Sequence, residues 1–176
     1  FGWAVAEATV WPIMPDALTV PMALHRPRSW WQLVAGAMLG TALGGVVSYL
    51  LGRLHADPSP VERLWLVRPA MVTATSGWLR EDGARGAWRQ PATGVPFKVF
   101  ARLAGHHGLP PLPFLGWAVL SRTVRFLVLT RTAALIGGRL PAHARNVPWL
   151  LSVVWVAGFG LALWRTVLYW ERRHQR

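Results

Sequence analysis

The chain has 176 residues, 53% of them hydrophobic and 15% charged, with a net charge of +12 at pH 7. A composition this apolar and this sparsely charged excludes an ordinary soluble domain, and the length predicts a single domain. The basic residues flank apolar runs instead of forming a dense patch, which argues against nucleic acid and for anionic lipid head groups or phosphates.

No cysteine is present, so disulfides and thiolate metal sites are excluded. Twelve tryptophans are present. Several of them, Trp30, Trp31, Trp117, Trp149 and Trp170, stand near the ends of apolar runs, where interfacial belts place them. The first residues contain neither an initiator Met nor a basic leader, so the chain is expected to begin inside a longer one.

In chain order, residues 1–24 form an apolar segment interrupted by Pro12 and Pro15 and carrying two acids, Glu7 and Asp16. Two prolines make one straight spanning helix untenable. A carboxylate at membrane depth needs a partner or a function, and a broken segment there is tolerated only inside protein or beside a watery cavity. After the basic turn at 25–28, residues 30–53 form the first predicted span, uncharged until Arg53 and longer than the ~20 residues a crossing requires. Gly36, Gly40 and Gly44 recur every fourth residue on it, a face that admits another helix closely. Tyr49 is expected to pack on the same helix.

Residues 54–93 are the most polar stretch and predict a connector lying on the membrane surface, with a turn at 56–60 and a short helix beginning at Pro69. Residues 94–109 are again apolar and interrupted, this time by bases, Lys98 and Arg102. A second span is predicted at 112–137, carrying Arg122, Arg125 and Arg131 and ending at Gly137-Gly138. A third is predicted at 147–170, followed by a basic tail at 171–176. Two broken segments in corresponding halves, one acidic and one basic, are the sequence pointer to an inverted-repeat transport site. The positive-inside rule places the C-terminus and Arg53 in the cytoplasm, with His25, Arg26, Arg28, Arg139 and Arg145 outside.

This succession of Glu7, Pro15-Asp16, Gly40, Gly44, Tyr49, Gly52-Arg53, Pro96-Phe-Lys98, Ala104-Gly105, Pro113-Phe114 and Ser121-Arg122 followed by Arg125-Phe126 resembles the DedA superfamily. That is the VTT or SNARE-associated domain group, and the likeness is strongest to its YqaA-type branch. The resemblance covers nearly the whole chain. It implies an all-α integral membrane protein of the bacterial inner membrane, with two re-entrant helical hairpins (1–24 and 94–109) in an inverted repeat and about three spanning helices. It also implies translocation of a lipid phosphate, either undecaprenyl phosphate or a phospholipid.

By position, Glu7 and Asp16 match the family's acidic pair, with Asp16 standing where the branch usually has Glu. Lys98 falls near the arginine of the second hairpin. Arg122 and Arg125 match the branch's paired arginines, with Thr123 in place of a glycine.

The candidate site for substrate and proton coupling is therefore Glu7, Asp16, Lys98, Arg102, Arg122 and Arg125. Each has a plainer reading. Asp16 after Pro15 suits a helix start, Lys98 and Arg102 suit snorkelling to head groups, and a bridge from Arg122 to either acid suits pure structure. His106 and His107 lack spaced partners for a metal. No Ser-His-Asp set, P-loop or dinucleotide fingerprint is present, so the chain is expected to have no catalytic residues, metal or cofactor and not to be an enzyme. The expected partners are lipids with anionic or phosphate head groups, a second copy of the chain, or a larger membrane complex. The alternative function is a non-transporting accessory subunit of such a complex, its glycine face binding neighbouring helices.

Overall fold

The structure is a computed structural model that describes residues 1–54, 61, 63–141 and 146–174. The turn expected at 56–60, Arg145 and the end of the basic tail lie outside the described residues. Among the described residues the chain forms α-helices and short 3-10 turns and no strand.

The prolines set the first two boundaries. Helix α1 (Gly2–Thr9) stops ahead of Pro12, and α2 (Asp16–His25) starts directly after Pro15. Residues before proline are pushed out of the helical region, and proline itself suits the entrance to a helix. Asp16 stands in the first turn of α2, where a negative charge meets the positive end of the helix dipole.

A 3-10 turn (Pro27–Ser29) leads into α3 (Trp30–Leu54). Then follow α4 (Pro69–Asp82), a 3-10 stretch (Gly83–Arg89), α5 (Gln90–Thr93) and α6 (Phe97–His106). Gly94 closes α5 with φ +68, a left-handed position that glycine adopts at no steric cost. The long helices α7 (Pro111–Arg139) and α8 (Val147–His174) complete the chain.

Among the described residues three helices are long and apolar enough to cross a membrane: Pro27–Leu54, Pro111–Arg139 and Val147–Arg172. The third has no buried residue in its most apolar window. Leu39, Leu43, Val47 and Leu50 of α3 and Trp149, Val154, Leu161 and Trp164 of α8 are exposed. Apolar surface on that scale suits hydrocarbon and not water. The chain is an all-α membrane protein.

Helix α3 is the hub and packs on α1, α6 and α7, while α2 packs on α7 and α8. Close crossings depend on glycine. A Cβ at Gly40 would lie 2.6 Å from the Phe1 carbonyl oxygen, and one at Gly44 would lie 2.6 Å from the Ala8 Cβ. The glycine face of α3 thus receives α1 of the same chain. Gly36 is less tight, its nearest contact being the Phe1 nitrogen at 3.5 Å. Tyr49 is buried and donates to the Leu109 carbonyl at 2.6 Å.

Four sequence expectations change in detail. Residues 94–109 hold one helix, α6, which packs chiefly on α3 and also on α4. Ser76 meets His107 at 2.9 Å and Trp78 stacks on Phe100, so later residues of α4 meet earlier ones of α6. The 54–93 stretch places Met71, Val72, Leu79 and Ala87 in the largest core cluster. Gly137 and Gly138 do not end α7. The helix runs on to Arg139, and Gly137 within it is a crossing point, where a Cβ would lie 2.2 Å from the Leu24 oxygen. Trp170 is buried, edge-on to Trp78, and donates to the Thr93 carbonyl at 3.3 Å, so it serves the core and not a belt.

Candidate functional site: two ion pairs and a broken helix

The six-residue interval between α1 and α2 exposes backbone groups that need partners wherever water is absent. Side chains supply several of them, there and at the end of α1. Ser48 of α3 donates to the Ala8 carbonyl. Arg102 Nη2 reaches the Thr9 carbonyl at 3.3 Å, and Lys98 Nζ reaches those of Val10 and Trp11 at 2.8 and 3.2 Å. The Trp3 indole donates to the Ile13 carbonyl at 2.9 Å. The C-terminal end of α1 carries the negative pole of its dipole, so two cations from α6 are electrostatically placed there.

Lys98 is fully buried and lies on a helix with almost every side buried, including Phe97, Phe100 and Leu103. Snorkelling is therefore not its role. Lys98 and Arg102 are held by carbonyl oxygens and not by the acids.

The acids are taken by α7. Arg122 and Arg125 stand three residues apart and share a helix face. Glu7 of α1 accepts from Arg122 at 2.7 Å (Oε2–Nη2) and 3.4 Å (Oε1–Nη1), a two-pronged pair whose side chains are 1% and 5% exposed. The Arg122 guanidinium also lies over Phe97 and Phe126, 4.9 and 5.5 Å from their ring centres.

Asp16 of α2 meets Arg125 through one oxygen, Oδ2–Nη2 at 2.7 Å, and here the arginine is 26% exposed. Its second oxygen, Oδ1, is buried with no hydrogen-bond partner among the described residues. The Asp16 carbonyl accepts from the Trp155 indole of α8 at 3.1 Å.

All six predicted charged residues thus meet around one broken helix. The two pairs differ in kind. Glu7–Arg122 is made through both carboxylate oxygens, is buried and is covered by aromatic rings. Asp16–Arg125 is made through a single oxygen and is partly open.

The sequence reading missed Ser48, Trp155, Phe97 and Phe126. Ser48 follows Gly44 by four residues, on the same face of an uncharged helix. Trp155 stands mid-span, away from where belts place tryptophan. Both were readable as residues with an interior partner.

His106 and His107 end α6. Burial holds the His107 imidazole below the ordinary histidine value, with Arg80 and His106 pushing the same way. A base whose folded pKa is lowered contributes stability that is present above its unfolded pKa and lost as pH falls through the folded one. His107→Gln is therefore expected to flatten the loss of thermal stability of the purified protein on the acid side of neutrality. An unchanged pH profile of the melting temperature would count against this role.

Relatives cover most of the chain. A Haemophilus influenzae protein described as an uncharacterized protein is 27% identical over 158 residues, 87% of this chain and 82% of its own length. A Histophilus somni protein described as "uncharacterized protein HI0703 homolog" is 33% identical over 154 residues, 84% of this chain and 80% of its own. The chain belongs to the family of that Histophilus protein. No family model matches the chain, and no solved structure does.

Proposed function

We propose that the chain is a DedA-like membrane transporter that moves a lipid phosphate, undecaprenyl phosphate or a phospholipid, between leaflets. One observation carries the reading. Acids from a broken segment in the first half of the chain meet arginines from the second half inside a membrane protein, beside two further buried cations. Such groups are expensive at membrane depth and concentrate on substrate and proton paths.

In this reading α1–α2 is one re-entrant hairpin. The second is α4 with α6, a longer unit than the 94–109 stretch. Breaks inside a membrane present helix ends to a substrate, and guanidinium and ammonium groups are the donors a phosphate needs. The acids neutralise those cations while the site is empty, and proton uptake by an acid frees a cation for phosphate. The relatives are from Haemophilus and Histophilus, which supports a bacterial membrane. The accessory-subunit alternative has less of the glycine face to draw on, because α1 of the same chain packs against Gly40 and Gly44.

The test is lipid exchange in vesicles reconstituted with the full chain, using a fluorescent phosphatidic acid and a polyprenyl phosphate. The wild-type chain is expected to accelerate exchange about tenfold or more over protein-free vesicles, a barrier change of roughly 1.4 kcal/mol or more. Asp16→Asn and Lys98→Gln are expected to abolish most of that gain while keeping helical content. Wild-type vesicles that exchange neither lipid faster than protein-free ones would end the reading.

A further inference from the structure

Helix α8 is held on one side only. It packs on α2 and, lower down, on α4, and Trp155 ties it to the Asp16 carbonyl. Between α8 and α7 a cleft of about 510 Å³ remains, lined by Leu129 of α7, by Trp155, Gly158, Phe159 and Ala162 of α8, and by Arg125. Its walls are otherwise almost entirely apolar, and Arg125 is the charged group that borders it. A second cavity of about 460 Å³ on the other side of Arg125 includes Ser121 and Trp88, so the guanidinium stands where two cavities meet.

Depth makes this placement informative. Arg125 is fourteen residues past Pro111, the start of α7, or about 21 Å along the helix at ~1.5 Å per residue. That is well inside a hydrocarbon layer of about 30 Å. A cation at that level, partly uncovered and facing an apolar cleft, complements an amphiphile with a long apolar tail and an anionic head. Guanidinium binds phosphate through two parallel hydrogen bonds, and Arg125 is tied to Asp16 through a single oxygen. Its neighbour Arg122 has no such freedom, being closed in by both Glu7 oxygens and two rings.

We propose that the α7–α8 cleft is the docking site of a phosphate-bearing membrane lipid, with the tail along α8 and the phosphate on Arg125 in place of Asp16, an assignment that rests on the lipid-phosphate reading above. Glu7–Arg122 then holds the two halves of the chain together while Asp16–Arg125 opens and closes. Asp16 touches both walls, α7 through its side chain and α8 through its carbonyl.

Binding can be read separately from transport by native mass spectrometry of the full chain in dodecyl maltoside micelles, which contain no phosphate. The probes are phosphatidic acid, diacylglycerol with the same acyl chains, and inorganic phosphate. Phosphatidic acid is expected to bind about tenfold or more tighter than either of the others, a difference of roughly 1.4 kcal/mol or more. Gly158→Trp fills the cleft from a position where an added Cβ has no neighbour within 4 Å, and circular dichroism with an unchanged melting temperature checks that the variant is folded. It is expected to remove phosphatidic acid binding, and Arg125→Gln to weaken it about tenfold.

Equal binding of diacylglycerol and phosphatidic acid overturns the site, as does undiminished phosphatidic acid binding by Gly158→Trp. Rapid lipid exchange in vesicles with no cleft binding also overturns the site while leaving the transport reading intact. Cleft binding that Gly158→Trp removes, in a wild-type chain that exchanges no lipid, supports the site and ends the transport reading.

Discussion

Arg122→Met is expected to destabilise the protein by about 3–5 kcal/mol, the cost of leaving a buried carboxylate without its counter-ion. Glu7 is 1% exposed and lies beneath the Arg122 guanidinium, with no water-facing route for its charge. Glu7→Gln is expected to fall in the same direction, because it leaves the guanidinium unpaired under Phe97 and Phe126. Arg122→Lys is expected to rescue little, since one ammonium cannot meet both carboxylate oxygens as the fork does. The informative variant is the double replacement Glu7→Leu with Arg122→Met. A well-filled apolar pair is often as stable as the ion pair it replaces, so much of the loss should return. Denaturant titrations of the wild type and these four variants in micelles, followed by far-ultraviolet circular dichroism, give the comparison. Single variants with wild-type midpoints would show that the pair does not join the two halves.

The second large effect is expected at the crossing of α3 and α6. Gly52 and Gly105 face each other there. A Cβ on Gly52 would lie 1.9 Å from the Arg102 carbonyl oxygen, and a Cβ on Gly105 would lie 2.0 Å from the Tyr49 carbonyl oxygen. Both obstacles are backbone, so neither can move aside as a side chain would. Gly105→Ala must push two helices apart, which for overpacked cores costs about 1–3 kcal/mol and sometimes more. The displacement also carries Lys98 and Arg102 away from the carbonyls that end α1, so a loss at or above the upper end is expected. Gly116→Ala is the control. It stands in α7 with nothing within 4 Å of its added Cβ, and there alanine should be neutral or stabilising by up to ~1 kcal/mol. Equal midpoints for Gly105→Ala and Gly116→Ala would contradict the crossing.

A consequence for function follows from the same geometry. Lys98 and Arg102 complete the backbone of a helix break, so variants at these positions disturb the shape of α1–α2 as well as local charge. Arg125 carries no such duty to the backbone. Its replacement still leaves the buried Asp16 carboxylate without a counter-ion, so the binding test above pairs it with Gly158→Trp, a change at a residue that belongs to neither ion pair.

The sequence by itself determined the class and the raw materials. Three long apolar runs suit hydrocarbon, because their length and sparse charge leave no continuous polar face for water. Pro12 and Pro15 had to break the first segment, since proline removes a donor and displaces its predecessor from the helical region. The charged residues that meet at the site were legible too, as ionised groups set where burial costs most. Their pairing was not legible. Arg122 and Arg125 share a face, but which acid each receives depends on how α1 and α2 dock.

Tertiary packing also decided that Lys98 and Arg102 serve carbonyls, that Gly137 is a crossing and not a stop, and that α6 packs on α4 from forty residues' worth of polar-looking chain. These outcomes share one physical cause. Periodicity and charge fix what a segment must bury, but the partner is chosen by close contact between backbones, and no single segment carries that information.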